Sequence, residues 1–114
     1  MSLIYKILER PAWEAACVKG AFDGSAVDLA DGYIHFSTAD QAQETARRYF
    51  RGQTNLVLAA FETTALGEAL KWEPSRGGAL FPHLYGPLPT HLAIEIIDLG
   101  LDADGVPRLD MLSA

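Results

Sequence analysis

Residues 56–61 form an uninterrupted apolar run, Leu-Val-Leu-Ala-Ala-Phe. The run has the length of a strand, and a strand without polar side chains on either face has to be covered on both faces. The chain has 114 residues, of which 49% are hydrophobic. That length is typical of one domain. The sequence therefore predicts a single domain over residues 1–114, built around one central buried strand.

Other segments fit a mixed α+β pattern without a linker or an internal repeat. A helix is predicted after Arg10-Pro11, because proline loses no hydrogen bond in a first helical turn. A second helix is predicted after Thr38, which forms a capping-box pattern with Gln41. Residues 22–30 are predicted to be a loop. Further strands are predicted over residues 3–8, 33–37 and 92–99, residues 66–73 fit either a helical turn or a strand, and residues 101–114 are predicted to be a tail with a turn at Asp104-Gly105.

Charge and cysteine content exclude several classes of protein. Nine basic and fifteen acidic residues give a net charge of −6, which argues against a nucleic-acid partner, because such binding requires clustered Lys and Arg. The single cysteine, Cys17, precludes an internal disulfide. No signal peptide is recognised, and no apolar run approaches the roughly 20 residues that cross a bilayer. We expect a cytoplasmic protein with no membrane partner.

Two short motifs, residues 31–37 and 81–87, each place a histidine inside an apolar, turn-bounded segment. Burying an imidazole without a partner costs roughly 1–3 kcal/mol. His35 and His83 therefore require a hydrogen-bond partner, a metal or a ligand. Each histidine taken alone also fits a satisfied core residue.

Strand alternation gives the first motif two different faces. Tyr33, His35 and Ser37 share one side, while Ile34 and Phe36 share the other. We expect the apolar pair to pack inward. The opposite face then presents a phenol, an imidazole and a hydroxyl in a row, a surface suited to sugar hydroxyls or a polar ring.

The second motif is stiffened by proline. Pro82 fixes its own φ and favours an extended residue before it, so His83 is held in place. Tyr85 shares the face of His83 if the segment is extended.

Residues 72–78 contain a Ser-Arg-Gly-Gly loop after a tryptophan and a glutamate. The backbone N–H groups of this loop, which includes Ser75, and the guanidinium of Arg76 are suited to an anion, although the same string fits a surface turn. Glu73 would have a raised pKa if it were buried beside Trp72, which suits acid–base chemistry, or it would pair with Arg76 at the surface. Neither a P-loop nor a dinucleotide-binding fingerprint is present.

The chain resembles a bacterial family catalogued as domain of unknown function 952. The resemblance spans about residues 3–100, and four strings carry it: Tyr-Lys-Ile at 5–7, Asp-Gly-Tyr-Ile-His-Phe-Ser at 31–37, Trp-Glu-x-Ser at 72–75 and Phe-Pro-His-Leu-Tyr-Gly-Pro-Leu at 81–88. It implies an ADP-ribosyltransferase-like fold, with two packed, mostly antiparallel sheets, one or two flanking helices and a cleft that grips NAD.

The resemblance also implies roles for individual residues. His35 matches the motif that contacts a ribose of NAD, and His83 or Tyr85 matches the motif that holds the nicotinamide end. Glu95 is the only acidic residue at a plausible place for the third motif, and its flanks match no transferase signature. The expected catalytic residues are His35, His83 and Tyr85, and the expected ligand-binding residues are Tyr33, Ser37, Trp72, Glu73, Ser75 and Arg76.

Three functions fit these observations. The first is an ADP-ribosyltransferase-like or NAD-consuming enzyme, with NAD as substrate and no resident cofactor. The second is a non-catalytic module that binds a nucleotide or a sugar phosphate. The third is a metal-dependent hydrolase that uses His35, His83 and either His91 or Glu73, although no metal-ligand spacing in the sequence supports a metal site.

Overall fold

The computed structural model describes residues 2–109 and 112, except for the side chain of Arg76. These residues form an α+β domain, as predicted. The described part contains four α-helices and eight strands. The helices are α1 (Arg10–Lys19), α2 (Ala26–Asp31), α3 (Ala39–Tyr49) and α4 (Thr63–Leu66), and the strands are β1 (Leu3–Glu9), β2 (Ala21–Phe22), β3 (Ile34–His35), β4 (Leu56–Glu62), β5 (Leu70–Pro74), β6 (Leu80–Leu84), β7 (Leu88–Pro89) and β8 (Glu95–Leu99).

The described strands form three antiparallel sheets instead of the two that were predicted. The first has the order β1-β4-β8, the second pairs β2 with β7, and the third has the order β3-β6-β5. The two-stranded sheet arises because the segment after Gly20 pairs with Leu88 and Pro89, a contact between distant segments without a local signal.

Strand β4 is the centre of the molecule. Its side chains from Leu56 to Phe61 are buried, which confirms the prediction from the apolar run. Val57, Ala59 and Phe61 enter one core, where Trp13 packs edge-on against the Phe61 ring. Leu56 and Leu58 enter a second core on the opposite face, together with Ala42 and Ala46 of α3. One strand thus supports two cores because its alternate residues point to opposite faces.

Two helices begin with a capping box. The predicted box of α3 is present: the Thr38 hydroxyl accepts from the Gln41 N–H, and the Gln41 side chain accepts from the Thr38 N–H. Helix α2 replaces the loop predicted over residues 22–30. It is capped in the same way by Ser25 and Asp28. The turn residues that flank this helix favoured a loop in the sequence. The helix is also short and lacks an inward-facing apolar stripe.

A bridge between Tyr5 and Ser37 connects the third sheet to the first. The Tyr5 N–H donates to the Ser37 carbonyl at 2.8 Å, and the Ser37 N–H donates to the Tyr5 carbonyl at 2.9 Å. The predicted strand 33–37 is therefore divided. Its ladder with β6 covers Ile34 and His35, and its end crosses to β1.

The remaining segments resolve the other predictions. Residues 66–73 contain both expected structures, a helical turn at Gly67–Ala69 followed by β5. The last strand is shorter than predicted, because Thr90–Leu92 forms a 3-10 turn before β8. A bridge between Leu101 and Pro107 closes a turn in the tail. Among the described helices, none combines the length and the apolar composition needed to cross a membrane.

The cap of α3 provides a test of the fold. We expect Thr38→Ala to lower the free energy of unfolding by about 1 kcal/mol, because the Gln41 N–H loses its side-chain acceptor. Thr38→Ser keeps the hydroxyl and should remain near wild type. Thr54→Ala, at an exposed loop position, is the control. Urea denaturation measures all three variants, and an equal loss in the alanine and serine variants at position 38 would contradict the cap.

Candidate functional site

The two histidines of the polar motifs lie directly opposite each other on the third sheet. His35 pairs with His83 in the ladder between β3 and β6, and their ring centroids are 5.5 Å apart at an angle of 70°. Ile34 and Phe36 point the other way into the core, as the alternation predicts. The two motifs therefore form one site.

Aromatic rings surround this pair. The Tyr33 ring stacks on the His83 ring at 4.0 Å between centroids, with 24° between their planes. The Tyr33 ring also lies 4.7 Å from the His35 ring and 5.3 Å from the Tyr85 ring. Tyr33 thus connects both histidines with the second tyrosine, and one face of the sheet presents four adjacent rings.

Two carboxylates hold the His35 ring. Nδ1 lies 2.6 Å from Oδ1 of Asp28, and Nε2 lies 2.9 Å from Oδ2 of Asp31. The Asp28 carboxylate also accepts from the backbone N–H of His35 at 3.1 Å. Ionised carboxylate oxygens only accept hydrogen bonds, so both ring nitrogens of His35 face acceptors. His35 is therefore fixed as a hydrogen-bond donor.

A buried lysine lies beneath this arrangement. The Lys6 Nζ is 3.1 Å from Oδ2 of Asp28 and donates to the His35 carbonyl at 2.8 Å. The side chains of Lys6 and Asp28 are 8% and 2% exposed. Charges as buried as these require partners with good geometry, and each group has one. Strand β1, helix α2 and strand β3 thus meet at a single ion pair.

Burial and the neighbouring charges shift the pKa values of this pair in opposite directions. Burial alone would raise the pKa of Asp28. The hydrogen bond from the His35 ring, the charge of Lys6 and backbone N–H groups outweigh burial and hold that pKa well below its usual range. Burial lowers the pKa of Lys6, and the charge of Asp28 opposes this effect. Asp28 therefore remains ionised in the folded protein.

The second histidine has its own carboxylate. His83 Nδ1 lies 2.8 Å from Oε1 of Glu73, and the Tyr85 hydroxyl donates to the same oxygen at 2.8 Å. The bond from His83, then the bond from Tyr85, lowers the pKa of Glu73 despite some desolvation. The raised pKa predicted for a buried Glu73 does not apply, because this carboxyl is 37% exposed and receives two donors. The bond to Glu73 in turn raises the pKa of Tyr85.

A cleft of about 530 Å³ opens on this face, within the usual size of ligand sites, roughly 300–1,000 Å³. Among its lining residues are Tyr33, His35, Ser37, Ser75, Phe81 and His83. The two histidines, each held by a carboxylate, form part of its wall. Such an arrangement can hold hydroxyl groups and move protons.

The other predicted residues lie at different distances from this cluster. Ser37 lines the cleft, but its buried hydroxyl already bonds the Thr45 hydroxyl at 2.9 Å. Ser75 also lines the cleft and closes a backbone turn with Gly78. Trp72 points to the opposite face of β5 from Glu73, because neighbouring strand residues alternate.

Arg76 and Glu95 are the last two predicted positions. The predicted contribution of the Arg76 side chain lies outside the described residues. Glu95 is exposed at the start of β8, the edge strand of the first sheet beyond β4. The structure does not bring it into the histidine cluster.

No group of three His, Cys, Asp or Glu side chains suited to a metal ion occurs in the described part of the chain. His35 directs both ring nitrogens to carboxylates, and His83 directs Nδ1 to Glu73. Both ring nitrogens of His35 are therefore occupied, which leaves this ring no free nitrogen for a metal.

Comparison with known proteins shows the family. The profile described as "Protein of unknown function (DUF952)" matches residues 7–96. The chain belongs to the DUF952 family. This membership confirms the resemblance seen in the sequence motifs. None of the curated proteins matches the chain.

The chain is also similar to solved structures of one protein. The chain is similar to protein CC0527 from Caulobacter crescentus in its crystal structure, with 62% identity and a TM-score of 0.96 over 99% of this chain and 100% of that one. A double mutant of the same protein gives 60% identity and a TM-score of 0.95 over 99% and 100% of the two chains. Its solution NMR structure gives 63% identity and a TM-score of 0.88, covering 97% of this chain and 96% of that one.

Sequence reasoning missed three charged residues of this DUF952 site, namely Lys6, Asp28 and Asp31. One local signal was available for Lys6, a lone charge inside an apolar strand. For Asp28 the signal was the Ser25-x-x-Asp28 spacing of a capping box. Their pairing had no sequence signal, because 22 positions separate Lys6 from Asp28.

The ion pair in this DUF952 protein generates a prediction. We expect Asp28→Asn to lower the free energy of unfolding at neutral pH by about 3–5 kcal/mol, because Lys6 is left buried without a counter-charge. Asp23→Asn removes an exposed carboxylate that pairs with Lys19 at the surface. It should cost no more than about 1 kcal/mol. Thermal or urea denaturation measures both variants.

The pH dependence of the same pair follows from the depressed pKa of Asp28. Its contribution to stability is complete above the unfolded value of about 4 and is lost as the pH falls toward the folded value. Wild type should therefore lose more stability than Asp28→Asn between about pH 5 and pH 2. Parallel pH profiles for the two proteins would contradict the assignment.

Proposed function

We propose that the cleft binds a ribose-containing nucleotide of the NAD or ADP-ribose class, and that the protein is an ADP-ribosyltransferase-like, NAD-consuming enzyme. The observation that carries this proposal is the pair of facing imidazoles, each held by its own carboxylate, on an aromatic face of one cleft. The groups around them match the chemical parts of NAD.

Ribose hydroxyls fit the His35 end of the site. The His35 ring offers N–H groups, and the adjacent Asp31 carboxylate, 47% exposed, offers acceptor oxygens. A vicinal diol both donates and accepts hydrogen bonds, so a donor beside an acceptor complements it. Replacement of the Asp31 contact by a ribose hydroxyl would leave the bond from His35 to Asp28 in place.

The planar end of the ligand fits the two tyrosines. The rings of Tyr33 and Tyr85 lie 5.3 Å apart, and 44% of Tyr85 is exposed. Exposed aromatic faces attract planar heterocycles and favour positive charge. The nicotinamide ring of oxidised NAD has both properties.

Glu73 supplies the carboxylate that such a reaction requires. Cleavage of the nicotinamide–ribose bond passes through an oxocarbenium-like state, and an ionised carboxylate stabilises positive charge that develops beside it. Glu95 is remote from the histidines, whereas Glu73 contacts His83 and Tyr85 directly. We assign the role of the third motif to Glu73.

The ADP-ribosyltransferase-like architecture belongs to the same proposal. Two three-stranded antiparallel sheets, joined at one edge through Tyr5 and Ser37, support it, as do the sequence motifs of the family. Fold analogy alone does not determine function, whereas the side chains of the site do. The exposed free thiol of Cys17 fits a reducing compartment, and we expect the enzyme to act in the cytoplasm.

Ligand-induced stabilisation tests this proposal. At ten times the dissociation constant, NAD should add about 1.4 kcal/mol of stability and raise the melting temperature by about 5 °C. ADP-ribose should also raise it. His35→Ala and Tyr33→Ala should each abolish the shift, because they remove the ribose contact and the stacking surface. Glu95→Gln, distant from the site, should retain it.

Turnover is measured in the same samples as released nicotinamide. Release that depends on His35 and Glu73 supports the enzyme. A shift with NAD but no nicotinamide after hours of incubation would identify the non-catalytic binding module instead. If neither NAD nor ADP-ribose shifts the melting temperature at millimolar concentration, the proposed function is wrong.

A further inference from the structure

We propose that Nε2 of His83 is the general base of the site, and that the second substrate is an oxygen nucleophile bearing a proton, either water or an alcohol. The inference rests on the proposed function for the identity of the first substrate. The choice of base and the class of nucleophile rest on the hydrogen bonds of the two histidines.

Glu73 determines which nitrogen of the His83 ring carries the proton. The pKa of Glu73 is lowered, so its carboxylate is ionised and can only accept hydrogen bonds. His83 therefore donates to it through Nδ1–H. A neutral imidazole with its proton on Nδ1 has a lone pair on Nε2. Glu73 thus selects the tautomer in which Nε2 is the basic atom.

The Nε2 lone pair of His83 belongs to a buried ring on the wall of the cleft. The His83 side chain is 2% exposed, and it lines the cleft. Its Nε2 has no hydrogen-bond partner within the described part of the chain. The ring is held by the stacked Tyr33 on one face and by the bond to Glu73. An oriented acceptor atom without a partner, on a ring that lines the cleft, is suited to a hydrogen-bond donor carried by a ligand.

The neighbouring histidine, tyrosine and lysine side chains are unsuited to act as the base. Both ring nitrogens of His35 donate to carboxylates, so this ring has no lone pair to offer. The Tyr85 hydroxyl donates to Glu73, which raises the pKa of Tyr85 and keeps its proton in place. Lys6 is buried against Asp28. Of these polar groups, His83 is left as the proton acceptor.

The chemical step balances with these groups. The hydroxyl oxygen forms a bond to C1 of the ribose while the bond from C1 to the nicotinamide nitrogen breaks. Nicotinamide leaves with that electron pair and becomes neutral. The hydroxyl proton moves to Nε2 of His83, and the resulting imidazolium is stabilised by Glu73, as in other base–orienter pairs. A carboxylate acceptor has no proton to lose and would leave this base unused.

The tautomer of His83 can be tested without any ligand. Long-range nitrogen–proton NMR spectra of the free protein should show the Nδ1–H form for His83. In Glu73→Ala this preference should be lost, because Glu73 acts as a positioning residue for the ring. The matched variant Glu95→Ala, at an exposed carboxylate in the other sheet, should leave the spectrum unchanged. An Nε2–H form in wild type would overturn the base assignment.

Kinetics test the same atom in the reaction. His83→Asn keeps an N–H group near Nδ1 for Glu73 but lacks the Nε2 lone pair. It should slow nicotinamide release by about 100-fold or more and leave the NAD-induced rise in melting temperature close to that of wild type. Unchanged release in this variant would refute the proposal. The retained thermal shift distinguishes loss of the base from loss of the fold.

Two reaction conditions separate the sources of the nucleophile. In buffer alone, free ADP-ribose as product identifies water. With methanol added, methyl ADP-ribose identifies an alcohol acceptor, and either product supports an oxygen nucleophile. Nicotinamide release without either product would contradict it. If NAD fails to bind although His83 shows the Nδ1–H form, the proposed function fails while the basic character of Nε2 is still supported.

Discussion

The buried carboxylate of Asp28 is the contact on which the geometry of this site depends. It accepts from the His35 ring, from the His35 backbone and from the Ser25 N–H at the start of α2. It also neutralises Lys6 of β1. A single charge therefore determines where a helix begins, how a strand end is placed and which way a ring faces. Since each donor is paired, the cost of burying two charges is offset within a small volume.

The two histidines differ although their motifs look alike. His35 lies between two carboxylates and is more exposed, whereas His83 has one carboxylate and is almost fully buried. The sheet places them opposite each other, and their different partners give one ring a donor role and the other an acceptor role. Environments that separate two like groups in this way are a common basis for acid–base pairs in active sites.

Local sequence patterns predicted much of the secondary structure and both histidine motifs, because these features depend on the spacing of neighbouring residues. Each of three patterns spans only a few neighbouring residues: the apolar run of β4, the capping box of α3 and the alternation around His35. Helix α2 was missed since its pattern is inverted: Val27 and Leu29 are exposed while Asp28 is buried. The ion pair of Lys6 with Asp28 joins segments 22 positions apart, and the bond from His83 to Glu73 depends on the register of β5 against β6. Tertiary packing determines them.

The buried lysine also has a consequence for strand pairing. Ile4 and Leu8 point into the core that contains Phe61, while Ile7 points into the core of α3, and Lys6 shares the side of Ile4 and Leu8. A shift of β1 by one residue along β4 would turn every one of its side chains to the other face. The ammonium group would then lie against Ala42 and Ala46, away from Asp28. Burying this unpaired charge would make the shifted pairing much less stable than the native one. Lys6 therefore specifies the register of β1 against β4.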